Sequence, residues 1–308
     1  MERTELLQPI MPLKESAVIT LKWCIIGLLA LCVADYLVAR HYKGRYFILH
    51  VAANTFISIA SLDDLWFVMT DTIGALKEFE ATLVPLGLVF SIHFYHMLAP
   101  GFKLYYVDWL HHVVMVIFGC PLLVLAKIGP LMNFCFFFIC GVPGGYDYFM
   151  LVLVKNKVMK PLTEKRRNNM VQVWVRAVAL NISVMLLYIQ NQVQKANGHD
   201  ISAYLLFIRA ALMLITYWNG NYFMERVCGN YYVTAYKLRE TWEKNKVSDP
   251  KDRKDLSSMA NSEDLRKKVL EDEVDEHPLP DGVQMPGHTR KTKISSMGKI
   301  WNYIRVGS

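Results

Sequence analysis

The sequence predicts an all-α fold: a polytopic transmembrane helix bundle that ends in a charged tail. Three observations predict it. Long stretches nearly free of charge alternate with short charged ones as far as about residue 236. Most of these stretches reach the ~20 apolar residues that a helix needs to cross a bilayer. Beyond residue 236 the composition turns strongly polar. The chain of 308 residues is 53% apolar, and soluble domains of that length would not segregate charge in this way. The organisation that follows is an N-terminal segment (1–16), a membrane domain (17–236) and a tail (237–308) that composition predicts to be disordered.

About seven spans are expected, with six possible: residues 17–38, 46–68, 81–99, 107–126, 130–154, 170–190 and 201–221. The first lacks a small-residue cleavage site after it, so it reads as an uncleaved span. The second is the least regular. After "YFILHVAANTFISIA" comes "SLDDLWFVMTD", which suits an interfacial or re-entrant segment. The fourth opens with "DWLHHVVMV". The fifth is interrupted at Pro143, Gly144 and Gly145. Proline removes a backbone donor and clashes with the preceding turn, and the glycines either let the chain unwind into a broken-helix site for a polar head group or allow a kink for close helix packing with Asp147 as a hydrogen-bonded strut.

Basic residues orient the spans. The first loop carries Arg40, Lys43 and Arg45, the third Lys103, and the fifth Lys155, Lys157, Lys160, Lys165, Arg166 and Arg167. The second carries Asp63, Asp64, Asp71, Glu78 and Glu80 against Lys77, and the sixth only Lys195. This alternation predicts an outside or lumenal N-terminus and a cytosolic tail. The net charge of +7 therefore follows membrane topology and is no nucleic-acid footprint. The six cysteines lie mostly in apolar runs without a CxxC pair, which predicts packing residues and not a disulfide framework. In the tail, "SEDLRKKVLEDEV" suits a short helix. In "RKTKISSMGKIWNYIRV", Ile294, Met297, Ile300, Trp301 and Ile304 share a helix face flanked by basic residues. That end suits an anionic membrane surface or a cytosolic partner, or else simply a solvated tail.

Ionisable residues at membrane depth usually face the bundle interior or a water-filled cavity. Under this orientation several fall at one depth on the cytosolic side. His93 and His96 lie in the last two turns of the third span, and Asp108, His111 and His112 in the first two of the fourth. Asp108 is three and four residues from the paired histidines, so its carboxylate is placed to contact either ring and set a tautomer. His50 and Asn54 come from the second span, Asp147 from the fifth, Arg176 from the sixth, and Asn219, Asn221 and Glu225 close the seventh. A histidine with a carboxylate acts as general base on an alcohol or amine. That chemistry suits acyl transfer to a lipid, with a second histidine or a backbone donor stabilising the oxyanion. No metal is assigned. The five intramembrane histidines are fewer than a di-iron centre with HxxxH and HxxHH boxes uses, although their spacing also suits one zinc ion. No GxSxG, Walker or dinucleotide fingerprint occurs.

From about Tyr46 to Tyr236 the order of these features resembles the TLC (TRAM, Lag and CLN homology) domain family. The carrier is the His-His pair of "DWLHHVVMV" at the head of a span, followed some 25 to 35 residues later by a polar break, here "GVPGGYDYFML". In the ceramide synthases of that family the second segment resembles "HDxSD"; this chain offers only Asp147. The resemblance implies a multi-pass protein of the endoplasmic reticulum with membrane lipids as partners. It also implies His111 and His112 as the paired functional histidines, with Asp147 beside them. The half-missing second motif fits the members that bind, carry or regulate lipids. The reading that follows is a lipid-handling protein acting on lipid homeostasis, with His93, His96, His50 and Arg176 as lipid-binding residues. The alternative is an N-acyltransferase with acyl-CoA as co-substrate, using His111 or His112 as base and Asp108 or Asp147 to orient it. A cargo-escort or structural membrane protein is a third class.

Overall fold

A computed structural model describes residues 11–102 and 104–247. Lys103 and the two tail segments singled out above lie outside the described residues. Among the described residues every regular element is helical, as the fold class predicts. The chain divides into two compact units. Among the described residues, one contains those up to Met159 together with Met170–Met224, and the other contains Lys160–Asn169 and those from Glu225 onward. In the second unit Leu162, Tyr231 and Ala235 form a small buried cluster. Every candidate residue except Glu225 belongs to the first.

Nine helices carry the description. They are α1 (Leu13–Leu37), α2 (Arg45–Ala60), α3 (Leu62–Thr70), α4 (Thr72–Lys77) and α5 (Val84–Leu98), followed by four more. Helix α6 is built from Tyr106–His111, a π-helical turn His112–Gly119, and Cys120–Ala126. Helix α7 is Leu131–Lys155, α8 is Pro161–Ala196 and α9 is Ala203–Val247. Among the described residues five helices are long and apolar enough to cross a membrane, and a sixth arises if α2 and α3, bent by 46° between Ala60 and Leu62, count as one span. The change of character expected after residue 60 is therefore a real bend. Helix α5 is shorter, at 15 residues, or roughly 22 Å at 1.5 Å per residue.

Helix α1 is apolar on its outward face as well. Val18, Leu21, Leu29 and Val33 are all exposed, which is the mark of a helix solvated by lipid. Its buried stripe, Thr20, Cys24, Gly27, Leu31 and Asp35, recurs every three to four residues and packs on α5. Glycines set that approach. A methyl at Gly87 would stand 3.0 Å from the backbone of Thr20 and Cys24, so only glycine lets the two backbones come this close. Helix α5 buries Leu86, Val89, Ile92, His93, Tyr95 and His96, positions that run around most of its circumference. It is the central helix on which the candidate site is built.

At one end of α5 a charged clamp ties three helices. The Asp35 carboxylate accepts from Arg45 Nε at 2.6 Å and from the Tyr95 hydroxyl at 2.8 Å. Arg45 also donates to the Pro100 carbonyl at 3.1 Å. At the opposite end of α6 lies a second polar centre. Arg209, fully buried, donates to the Ala126 and Lys127 carbonyls at 2.9 Å each, to Asn191 Oδ1 at 2.7 Å and to Gln194 Oε1 at 2.8 Å. The turn it holds is tight, with Lys127 in the left-handed region at φ 47°.

One expectation is corrected. The chain does not unwind at Pro143, Gly144 and Gly145; α7 is continuous there, and its irregularity lies one turn earlier. Phe137–Gly141 form a π-helical turn closed by a hydrogen bond from Val142 N–H to the Phe137 carbonyl. A widened turn is how a helix passes a proline without breaking, because the ring no longer collides with the carbonyl four residues back. The glycines serve close helix packing, the other reading of this stretch. A methyl on Gly144 would meet Asn54 Nδ2 at 3.0 Å, and one on Gly141 would meet Ser58 Oγ at 2.8 Å, so α2 lies directly against this stretch.

Candidate functional site

The histidines foreseen on separate spans meet. Residues 93 and 96 stand one turn apart on α5 and present their rings to the adjacent pair on α6. His93 Nε2 lies 3.3 Å from His111 Nε2, and His96 Nε2 lies 2.8 Å from His112 Nε2. The result is two imidazole–imidazole hydrogen bonds, one per rung. His50 of α2 stacks on His96 with centroids 4.8 Å apart and planes at 17°. His93, His96 and His112 are all buried.

Main-chain carbonyls fix three of the rings. His93 Nδ1 donates to the Val89 carbonyl at 2.7 Å, His50 Nδ1 to the Tyr46 carbonyl at 3.0 Å, and His112 Nδ1 to the Asp108 carbonyl. Each acceptor lies four residues earlier on the same helix, so helical spacing alone supplies it. This corrects the role foreseen for Asp108. Its carboxylate accepts the Tyr105 N–H at 2.8 Å and caps the start of α6. Its backbone oxygen, not its side chain, sets a histidine tautomer. From the third helical position the side chain folds back to the N–H of the capping residue Tyr105, one half of a capping box.

Arg176 of α8 is the second pole. It is buried and donates to Gln172 Oε1 at 3.3 Å, to Asn219 Oδ1 of α9, and through Nε to the Ile139 carbonyl at 3.1 Å. Ile139 lies four residues before Pro143. Its carbonyl is the one that proline's missing N–H would otherwise have engaged. The sequence break thus supplies the acceptor for the buried arginine. The guanidinium lies over the Phe223 ring at 5.6 Å, and that ring is also edge-on to His111 at 5.7 Å. Asp147 acts electrostatically on Arg176. All eight predicted site residues therefore fall in one unit, in two groups joined by Phe223: the histidines with Asp108, and Arg176 with Asp147.

Three π-helical turns frame the site. One starts at His112, one contains Ile139, and one ends at Arg176. Such turns are rare and concentrate at functional sites. Tyr46 and Tyr148 also belong here. Each ring lies 4.2 Å from the His50 ring, and the two rings meet edge-on at 6.0 Å. Their signal in the sequence was positional: Tyr46 precedes His50 by one helical turn, and Tyr148 follows Asp147. Asn221 lies apart, bonded to Asn181 Oδ1 at 3.3 Å. Glu225 is exposed in the other unit.

Chemically, the cluster offers imidazole donors and acceptors in an apolar surround, which suits hydrogen bonding to a polar head group and proton transfer between rings. Among the described residues no three His, Cys, Asp or Glu side chains are arranged to hold a metal ion, and the imidazoles bond in pairs. The six cysteines are unpaired. In comparisons with family models, curated proteins and solved structures, nothing matches this chain.

Proposed function

We propose that this chain is a multi-pass membrane protein of the TLC-domain type that binds or handles a lipid at the histidine cluster and so acts on lipid homeostasis. The observation that carries the reading is the meeting of five histidines from three helices in mutual ring contact. Buried polar groups in a membrane domain are costly and mark binding or transport sites more often than packing. In this reading the bent α2–α3 pair and the short α5 each count as a span. That makes seven, with the N-terminus lumenal, the tail cytosolic and the cluster on the cytosolic side. The endoplasmic reticulum is the membrane that the TLC resemblance suggests. The test is lipid analysis of the purified chain. A lipid at near-stoichiometric ratio, lost from a folded His111→Ala and His112→Ala double variant, supports the proposal. A lipid-free wild type sinks it.

A second reading has one observation behind it. The 2.8 Å contact between His96 and His112, with His112 held by the Asp108 carbonyl, is a ready proton relay for acyl transfer from acyl-CoA to a lipid amine or alcohol. Acyl transfer by the purified chain, abolished by His112→Ala, would establish it.

A further inference from the structure

Both nitrogens of the four rings on α5 and α6 can be accounted for. A carbonyl only accepts, so His93 and His112 carry their proton on Nδ1. In the neutral ring Nε2 is then a bare acceptor. The partner across each rung must donate, so His111 and His96 carry their proton on Nε2. Their Nδ1 atoms are left as lone pairs, and these two atoms are buried without a hydrogen-bond partner. A protonated ring would put an orphan N–H donor there instead, the costlier arrangement.

Resting on the lipid-handling reading above, we propose that the ligand is a neutral hydroxyl lipid, whose hydroxyl donates to the bare Nδ1 of His96 or His111. The four rings offer two bare acceptors and no spare donor; the unpartnered donor of the site, Asn219 Nδ2, belongs to the Arg176 group. A phosphate or carboxylate head group would set its own lone pairs against them. An ammonium would donate, but no ring nitrogen of the four touches a carboxylate. The charges nearby are Arg176, acting on His111, Asp147, acting on Arg176, and Asp108, whose carboxylate accepts the Tyr105 N–H. A second buried cation there would lack a counter-ion. A hydroxyl supplies the donor without the charge.

The experiment loads the purified full chain in detergent with diacylglycerol, phosphatidic acid or a long-chain primary amine of matched acyl length. Retention is read by native mass spectrometry. Diacylglycerol is expected to be retained at least about tenfold better than the other two, a difference of about 1.4 kcal/mol. The informative variants are His96→Gln and His111→Gln. Glutamine keeps an N–H₂ near the Nε2 position, so the bond to His112 or His93 survives, but it has no atom at Nδ1. Diacylglycerol retention is expected to fall roughly 3- to 10-fold, the worth of one hydrogen bond, with an unchanged melting temperature. Histidine ¹⁵N spectra should show Nε2–H tautomers for His96 and His111 and Nδ1–H for His93 and His112. Equal retention of phosphatidic acid or amine, unaffected glutamine variants, or Nδ1–H at His96 and His111 would each overturn the assignment while lipid handling stands. If no lipid of any class is retained, both readings fall.

Discussion

The two buried polar centres at opposite ends of α6 are built on opposite principles. Around Arg209 all three guanidinium nitrogens are engaged: two main-chain carbonyls and two side-chain amide oxygens accept from them. Gln190 Nε2 and Gln194 Nε2 add donors to the Ile128 and Leu76 carbonyls at 3.2 Å each. The partners are loop ends and helix ends, so the network closes the bundle. Around the histidines the partners are other histidines, and two nitrogens are left over. Burial alone does not separate the two centres, because both are buried. Satisfaction does. A polar group whose bonds are all made by its own chain is holding structure, and one with a bond still to make is available to a ligand.

The largest effect is therefore expected at the centre with no function assigned. Arg209→Ala would orphan acceptors on α6, its following turn and α8 together. A loss of about 3–5 kcal/mol follows from several buried groups losing partners at once. Thermal unfolding in detergent reads it, and the expected outcome is a much lower melting temperature or no monodisperse protein. Arg209→Lys should recover little, because a point charge cannot reach carbonyls and amides arrayed around a planar fork. Lipid retained per folded molecule should not change. If Arg209→Ala is as stable as wild type, full engagement of the buried charge is not what marks a structural centre.

The sequence makes one of these centres far easier to find than the other. Paired histidines at the head of an apolar run stand out, and the helical spacing of His93 and His96 already places them on one face. Arg209 sits just as improbably within "YLLFIRAALMLI", and Asp35 within "LLALCVADYL". The rule applied to the histidines would have flagged both. A lone charge near a span end reads as a side chain reaching for water, whereas Arg209 turns inward to carbonyls that no local pattern predicts. The depth of the site was legible because hydropathy sets depth. Its wiring was not, because acceptors such as the Ile139 and Asp108 carbonyls are main-chain atoms that every residue possesses. Pro143 shows the limit most directly. The anomaly was visible, but whether the helix breaks or widens depends on Arg176 waiting on another helix.

That dependence gives a smaller and more selective prediction. Pro143→Ala restores an N–H that can claim the Ile139 carbonyl, in competition with Arg176 Nε. The helix gains a regular bond and the arginine loses one, so stability should move by less than about 1 kcal/mol. Arg176 carries the Phe223 ring that edges onto His111. A loosened arginine should therefore lower lipid retention by about two- to threefold, a fraction of one hydrogen bond's worth. Retention and melting temperature measured on the same sample separate the two terms. A drop in stability with unchanged retention would mean that the π-helical turn serves only to pass the proline.

The smallest effect is expected at Asp108, where the comparison is sharpest. The carboxylate was a natural partner for the histidines by spacing, yet it is spent on the Tyr105 N–H. Asparagine keeps an oxygen that can accept the same Tyr105 N–H, so Asp108→Asn should shift stability by no more than about 0.5 kcal/mol, close to the worth of one first-turn charge at a helix N-terminus. The bond that orients His112 comes from the backbone oxygen and passes through the substitution intact. Lipid retention, and the His112 Nδ1–H signal in a ¹⁵N spectrum, should both match wild type. A carboxylate that oriented the ring of a general base would behave otherwise, because its amide would change the tautomer it selects. Loss of the His112 signal in Asp108→Asn would therefore return Asp108 to the histidine cluster and make the acyl-transfer reading the stronger one.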